Sequence, residues 1–150
     1  MLFRSLIPDS GGAGRHRGGL GIARTTRALT NVTVNTQSER SACPPWGLDG
    51  GGEATGNKVA FRVGNEWKGD FPNAKVLVAQ LKPGDAFRIS SGGGGGYGSP
   101  FERPVEDVRE DVRQGYVSVK AAAGRYGVVV DADTFVVDPD ATGKLRAAKQ

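Results

Sequence analysis

The chain has 150 residues, of which 37% are apolar, and this length is sufficient for one domain with a hydrophobic core. Glycine contributes 24 residues, about twice its usual share of roughly 7%. The single cysteine, Cys43, excludes an intrachain disulfide, and no apolar run approaches the length of a membrane span. With no signal-peptide pattern at the start, the sequence predicts a cytoplasmic protein without membrane contact.

The net charge of +4 comes from the first forty residues, where six arginines outnumber the two acidic residues Asp9 and Glu39. The remaining residues carry equal numbers of basic and acidic side chains. A basic segment of this kind suits an anionic ligand, an acidic protein surface or nucleic acid. A solvent-exposed strand with arginine side chains would give the same charge, so these alternatives stay open.

The first ninety residues predict a β-rich unit. Val32 and Val34 alternate with polar neighbours, which is typical of a half-buried strand. A loop over residues 41–57 interrupts the strands, and Pro83-Gly84 predicts a tight turn. The predicted strands are Leu20–Leu29, Asn31–Glu39, Lys58–Val63, Lys75–Leu81 and Ala86–Ser90.

The pattern becomes helical after the glycine-rich residues 92–98. Val105, Val108 and Val112 form one apolar stripe on a helix. Gly115 stands where a left-handed C-terminal cap belongs, and Ser118 can cap the start of a second helix. The sequence thus predicts helices over residues 104–113, 119–124 and 139–149, with a hairpin that joins 126–131 to 134–137.

Residues 11–21 have the glycine content of a phosphate-binding loop but not its pattern. A Walker loop ends in Gly-Lys followed by Ser or Thr, and the dinucleotide fingerprint requires a glycine where Arg17 stands. What remains is a flexible cationic loop. The guanidinium groups of Arg15 and Arg17 can bind a carboxylate or phosphate there, or form structural ion pairs.

Three further features have both a functional and a structural interpretation. His16 is the only histidine, and one imidazole among scattered carboxylates predicts neither a metal site nor a Ser-His-Asp triad. Trp46 follows Pro44-Pro45 in a stiff loop and either lines a pocket or caps the β core. The segment 92–98 can lie against a ligand or another backbone, or serve as a linker.

Six segments, taken in this order, resemble the C-terminal part of the hydantoinase B family: residues 10–21, 38–40, 44–52, 81–85, 92–100 and 126–128. That family includes N-methylhydantoinase B subunits, the matching half of 5-oxoprolinase, and related acetone and acetophenone carboxylase subunits. The resemblance covers Leu6 to about Arg146. It implies a part of a larger ATP-dependent enzyme that opens a cyclic amide such as 5-oxoproline or hydantoin, or carboxylates a ketone.

The resemblance also implies a partner and cofactors. A hydantoinase A-type subunit is expected to handle ATP, and a divalent metal is expected on upstream motifs that this sequence lacks. No metal ligand or catalytic residue is therefore assigned, and the chain alone is expected to be inactive. The family motif marks Arg15, Arg17, Gly18 and Gly19 as ligand-binding candidates, and we add Trp46, Gly94 and Gly95.

The predicted fold class is α+β, with one domain in three parts. Residues 6–91 form its β-rich unit, 92–100 a glycine-rich loop, and 101–150 a tail of helices and a hairpin. Residues 1–5 are interpreted as a non-native scar, because family-like sequence begins at Leu6 and residues 2–5 match the translation of a common sequencing adapter.

Two other functions are compatible with the same residues. The Gly/Arg-bearing start suits a nucleic-acid-binding module, but no aromatic residue for base stacking occurs between Phe3 and Trp46. A non-catalytic β interaction domain, in which the loops have no ligand, is the second alternative. The family resemblance favours the enzyme and predicts no nucleic-acid partner.

Overall fold

The computed structural model of the protein describes residues 2–69 and 71–148, which form seven strands and three α-helices. Two short 3-10 helices, at residues 72–74 and 100–102, lie between them. The predicted α+β class is thus confirmed. The elements are β1 Leu2–Leu6, β2 Ile22–Arg27, β3 Val32–Thr36, β4 Lys58–Val63, β5 Glu66–Lys68, β6 Val76–Leu81, β7 Ala86–Ser90, α1 Val105–Arg113, α2 Val119–Tyr126 and α3 Pro139–Ala147.

The strands form two antiparallel sheets that share one core. Five strands pair in the order β1-β2-β7-β4-β5, and β3 pairs with β6 in a separate two-stranded sheet. Alternation in β4 places Val59 and Phe61 on the buried face, and Phe61 meets the ring of Phe71 edge-on at 5.6 Å. Leu81 and Ala28 complete the same core.

The turn between β6 and β7 has the predicted conformation. Gly84 has a φ of +97°, which favours glycine, and it follows Pro83. The carboxylate of Asp85 accepts hydrogen bonds from the N–H groups of Lys82 and Gly64 at 2.9 Å each. These bonds lower the pKa of Asp85, the Lys82 bond most strongly. The turn is therefore fixed to the neighbouring β4–β5 turn.

The helical tail packs through the predicted valine stripe. Val108 and Val112 of α1 are buried, together with Ala122 and Tyr126 of α2. The Ser118 hydroxyl caps α2 by accepting from the Ala121 N–H at 3.1 Å, as predicted. None of the described helices has the length and hydropathy needed to cross a membrane.

Three predictions of local structure need correction. β1 and β5 were not predicted, because both are short, exposed strands at the edges of the sheet. The predicted 126–131/134–137 hairpin is present only in a shortened form, in which the Asp131 N–H donates to the Val136 carbonyl at 2.9 Å. α2 extends through Tyr126, and among the described residues of that region only an isolated bridge between Val130 and Val137 remains.

The physical reason lies in the turn itself. The Asp131 carboxylate accepts from the Thr134 N–H at 2.8 Å, the Thr134 hydroxyl at 2.7 Å and the Asp133 N–H at 3.1 Å. Such side-chain bonds hold a compact loop and compete with a strand ladder.

The predicted end of the last helix at Lys149 lies outside the described residues, as does Met1. The origin of residues 1–5 stays a prediction, while Leu2–Leu6 pair with β2.

Candidate functional site: a glycine layer

Three glycine-rich segments lie side by side and are joined by backbone hydrogen bonds. We call residues 11–19, 47–52 and 92–98 together the glycine layer. The bonds run from Gly12 N–H to the Gly94 carbonyl and from Gly94 N–H to the Gly19 carbonyl, both at 2.9 Å, and from Gly96 N–H to the Gly52 carbonyl at 3.0 Å. The central segment 92–98 thus contacts both of the others.

The segments approach so closely that most positions exclude a side chain. A Cβ atom at Gly18 would collide with the Gly94 carbonyl oxygen, and one at Gly95 with the Trp46 carbonyl oxygen. A Cβ atom at Gly96 would collide with the Ala13 carbonyl oxygen. The prediction that residues 92–98 lie against other backbone is therefore confirmed, and the linker alternative is wrong. Glycine is required here for close approach.

Two of the candidate glycines, Gly19 and Gly94, lie where the backbone of the layer is exposed. A Cβ at Gly19 would meet no atom within 4 Å, and one at Gly94 would meet the Gly19 nitrogen at 3.3 Å. Both residues are exposed. The sequence candidates thus divide into closely packed positions, the buried Gly18 and the half-buried Gly95, and exposed ones, Gly19 and Gly94.

Arg17 belongs to a partly buried ion cluster that joins the glycine layer to α1. Its Nε and Nη2 atoms lie 3.0 and 3.1 Å from the two Asp111 carboxylate oxygens, in the bidentate geometry typical of guanidinium. Arg103 Nη2 lies 2.9 Å from the same carboxylate. The exposed side-chain fractions are 17% for Arg17, 13% for Arg103 and 9% for Asp111. We call these three residues the arginine clamp.

The surroundings of the clamp are also fixed. The Arg17 guanidinium lies 5.5 Å from the Tyr116 ring centroid and donates to the Gly18 carbonyl at 2.9 Å. Arg103 donates to the Arg15 carbonyl at 3.2 Å. Burial raises the pKa of Tyr126, against the opposing effect of nearby Arg103 and Arg17. The clamp therefore has a structural role, and the ion-pair interpretation of Arg17 fits it.

The sequence interpretation missed Asp111 and Arg103. Asp111 lies on α1 beside the buried stripe residues Val108 and Val112 and is itself buried. A carboxylate next to an apolar stripe is the signal that could have identified it, because buried charges require a partner. The sequence separation of 94 residues from Arg17 concealed which partner that is.

Arg15 and His16 lie at an exposed edge of the layer. The Arg15 Nε is 3.4 Å from the His16 Nε2, and the His16 and Tyr97 rings are 6.2 Å apart. Tyr97 is 50% exposed, and Leu48 beside it is 60% exposed. His16 therefore faces solvent, and no group of three or more His, Cys, Asp or Glu side chains among the described residues could hold a metal.

Trp46 does not cap the β core. Its side chain is 65% exposed and lies outside the β core, with the Arg40 guanidinium 5.4 Å from its ring. The backbone of this residue, and not its ring, packs against the glycine layer at Gly95. Whether the exposed indole contacts a ligand stays a prediction.

Residues 1–100 match the family model described as Hydantoinase B/oxoprolinase. The caprolactamase subunit beta of Pseudomonas jessenii is 37% identical over 150 residues, which is 96% of this chain and 25% of that protein. The crystal structure of ATP-dependent caprolactamase from the same organism superposes with a TM-score of 0.78 at 29% identity, over 97% of this chain and 25% of that one.

Nucleotide-free acetone carboxylase shares the fold, with a TM-score of 0.82 at 23% identity, over 99% of this chain and 24% of that one. The chain spans about a quarter of the length of these proteins. The two superposed structures cover nearly the whole chain, whereas the family model matches residues 1–100. The resemblance seen in the glycine motifs is confirmed, and the chain belongs to the Hydantoinase B/oxoprolinase family.

Proposed function

We propose that this chain is part of an ATP-dependent enzyme that hydrolyses a cyclic amide, with 5-oxoproline or a hydantoin as substrate. The observation that carries the proposal is the 37% identity to caprolactamase subunit beta over 150 residues. Caprolactam, 5-oxoproline and hydantoin are all cyclic amides, so one ring-opening chemistry covers the three. A hydantoinase A-type subunit is the proposed partner and the proposed site of ATP binding.

Within such an enzyme, the contribution of this chain would be a rigid glycine-lined surface. The arginine clamp holds the layer against α1, which leaves Arg15 as the guanidinium of the motif with an exposed side chain. A guanidinium of that kind suits the carboxylate of 5-oxoproline or a phosphate group. Gly19 and Gly94 offer exposed backbone to which a ligand could come close. Arg15 is therefore our first candidate for ligand contact.

The implied divalent metal does not fit the described residues, because they contain no cluster of metal-ligating side chains. We accordingly assign no reaction step to a metal on this chain. The proposed catalytic groups belong to the rest of the enzyme, and the chain alone is expected neither to hydrolyse ATP nor to open a lactam ring.

The test combines the purified chain, or the longer natural protein that contains it, with an A-type subunit. ADP release and ring-opened product are measured with 5-oxoproline, hydantoin and caprolactam. We expect cyclic-amide-dependent ATP turnover only when the longer protein and the A-type subunit are both present. Turnover by the isolated chain, or ATP turnover that no cyclic amide stimulates, would contradict the proposal.

A second function, ATP-dependent carboxylation of a ketone, has the acetone carboxylase fold in its favour. At 23% identity this likeness concerns the fold alone, so it ranks below the amide hydrolase. Acetone with bicarbonate is therefore included among the substrates. Stimulation of ATP turnover by that pair and by no cyclic amide would favour the carboxylase.

A further inference from the structure

The five-stranded sheet has one face whose side chains are exposed or half-buried, with Ala86 as the buried exception. Its other face packs against β3 and β6. Register and alternation define this outer face by twelve residues. They are Phe3, Ser5, Ala23, Thr25, Arg27, Lys58, Ala60, Arg62, Trp67, Ala86, Arg88 and Ser90.

The outer face is positively charged. Four of its residues are cations, and none of the twelve is acidic. In the part of the chain that the structure describes, none of the four forms a salt bridge. The nearby Asp85 carboxylate is occupied by the backbone N–H groups of Lys82 and Gly64. The face therefore has a net positive charge, although Arg62 interacts with the nearby Asp85 carboxylate, and it complements an anionic surface.

Trp67 contacts two of these cations, and Phe3 lies on the edge strand β1 of the same face. The Arg88 guanidinium is 4.4 Å from the Trp67 ring centroid and the Arg62 guanidinium is 5.8 Å from it. Arg88 Nε donates to the Thr25 hydroxyl at 2.9 Å, which fixes its position. Trp67 is 40% exposed and Phe3 is 66% exposed. An aromatic and arginine-rich surface of this composition is typical of protein interfaces.

The same geometry argues against a nucleic-acid ligand. Base recognition on a sheet requires aromatic faces that are free for stacking. On Trp67, guanidinium groups already lie over the ring. Arg62 also donates to the Gly84 carbonyl at 3.0 Å, and the planar fork of a guanidinium matches a carboxylate.

We propose that the outer face binds an acidic segment of another part of the assembly, that is, a polypeptide with carboxylates and apolar residues in alternation. Carboxylates would pair with Arg62, Arg88 and Lys58, and apolar side chains would contact Phe3 and Trp67. The relatives are about four times longer than the segment matched here, so polypeptide of the same enzyme is available to cover the face. The inference does not depend on which reaction the enzyme performs.

The experiment uses the full chain with Trp46→Phe, which leaves Trp67 as the only tryptophan fluorophore. A synthetic peptide of alternating glutamate and leucine is titrated at two salt concentrations while Trp67 fluorescence is recorded. The matching glutamine–leucine peptide is the neutral control, and a single-stranded RNA oligonucleotide of equal charge tests the nucleic-acid alternative. Salt should weaken the glutamate peptide's binding, because exposed charges are screened.

Two matched double variants separate this face from general charge. R62Q/R88Q removes two charges from the outer face, whereas R4Q/R24Q removes two from the opposite face, where Arg4 and Arg24 are paired in register. We expect the first variant to weaken peptide binding about tenfold and the second by less than about twofold. If R62Q/R88Q does not fold, judged by far-UV circular dichroism, K58Q/R88Q replaces it.

Three results would overturn the proposal. Equal weakening in both double variants would mean that the peptide follows overall charge. A Trp67 signal that does not change, or changes equally with the neutral peptide, would mean that the outer face is not the binding surface. Tighter binding of the RNA than of the glutamate peptide would assign the face to nucleic acid.

Discussion

The glycine layer and the two β-sheets bury their atoms in different ways. In the sheets, side chains such as Val59 and Phe61 fill the space between two strand layers, and each fully buried one contributes about 1.5–3 kcal/mol. In the layer, backbone lies against backbone with almost no side chains between the segments. The layer's cohesion comes from hydrogen bonds, each worth roughly 0.5–1.5 kcal/mol net. The layer should therefore tolerate an added Cβ atom poorly. Its stability should also depend on the arginine clamp that joins it to α1.

The largest expected effect tests the intolerance of the layer to a single methyl group. Gly18→Ala should lower the free energy of unfolding by more than about 4 kcal/mol, because the new Cβ would collide with the Gly94 carbonyl and the backbone would have to move. Urea denaturation followed by circular dichroism measures the change. A cooperative transition at unchanged midpoint would show that the layer can adjust.

The next residue provides the control. Gly19→Ala places its Cβ where no atom lies within 4 Å, so the expected change is within about 0.5 kcal/mol. The two variants add the same methyl group to adjacent positions of one segment. A similar loss in both would mean that backbone conformation, rather than close packing, limits substitution here.

The second prediction concerns the attachment of the layer to the helical tail. Asp111→Ala leaves the guanidinium groups of Arg17 and Arg103, each mostly buried, without their carboxylate. Breaking a pair of this kind by removing one partner costs about 3 kcal/mol or more. Thermal and urea denaturation should show that loss. A double variant with Arg17→Met and Asp111→Leu should recover part of the lost stability. It leaves one guanidinium without its carboxylate, that of Arg103, whereas Asp111→Ala leaves two.

The third prediction separates the two arginines of the glycine motif. Arg17→Lys should reduce stability by about 1–2 kcal/mol, since an ammonium group cannot form the bidentate pair with Asp111. Arg15→Lys should leave stability unchanged, because the Arg15 side chain is exposed. In the complete enzyme, Arg15→Lys and Arg15→Ala should instead raise KM by similar factors. Wild-type kinetics in Arg15→Lys would indicate diffuse electrostatics in place of ligand contact.

The strands and helices that the sequence predicts best are those with a clear apolar period. β4 and β7 have the predicted bounds, and α1 follows the Val105, Val108 and Val112 stripe. The edge strands β1 and β5 lack such a signal, since each is exposed along its whole length. Pairing with a neighbour, which local sequence does not reveal, makes them strands.

The sequence was sufficient to predict which residues belong to the candidate site, but not which atoms they contact. The glycine content of residues 92–98 indicated close approach, and the structure shows which backbone atoms they meet. Arg17 was recognisable as an ion-pairing candidate, whereas Asp111 and Arg103 are brought to it by tertiary packing. Which glycines are packed and which are exposed depends on the neighbouring segment, so no local pattern could separate Gly18 from Gly19.

The smallest expected effect contrasts the clamp with an exposed ion pair on the same helix. The Glu110 carboxylate accepts from Arg113 Nε and Nη2 and from the Gln114 amide, each at 2.7 Å. These bonds lower the pKa of Glu110 from its ordinary value of 4.5 to about 2, the Arg113 bond most strongly.

Because the folded pKa is depressed, the stabilisation is fully present above pH 4.5 and is lost as the pH falls towards 2. Unfolding curves of the wild type and Glu110→Gln should therefore differ slightly at neutral pH and converge between pH 4.5 and 2. Solvent and salt screen this exposed pair, so the difference should be much smaller than that of Asp111→Ala and should shrink in high salt. A difference that does not vary with pH would mean that Glu110 acts through helix packing and not through its charge.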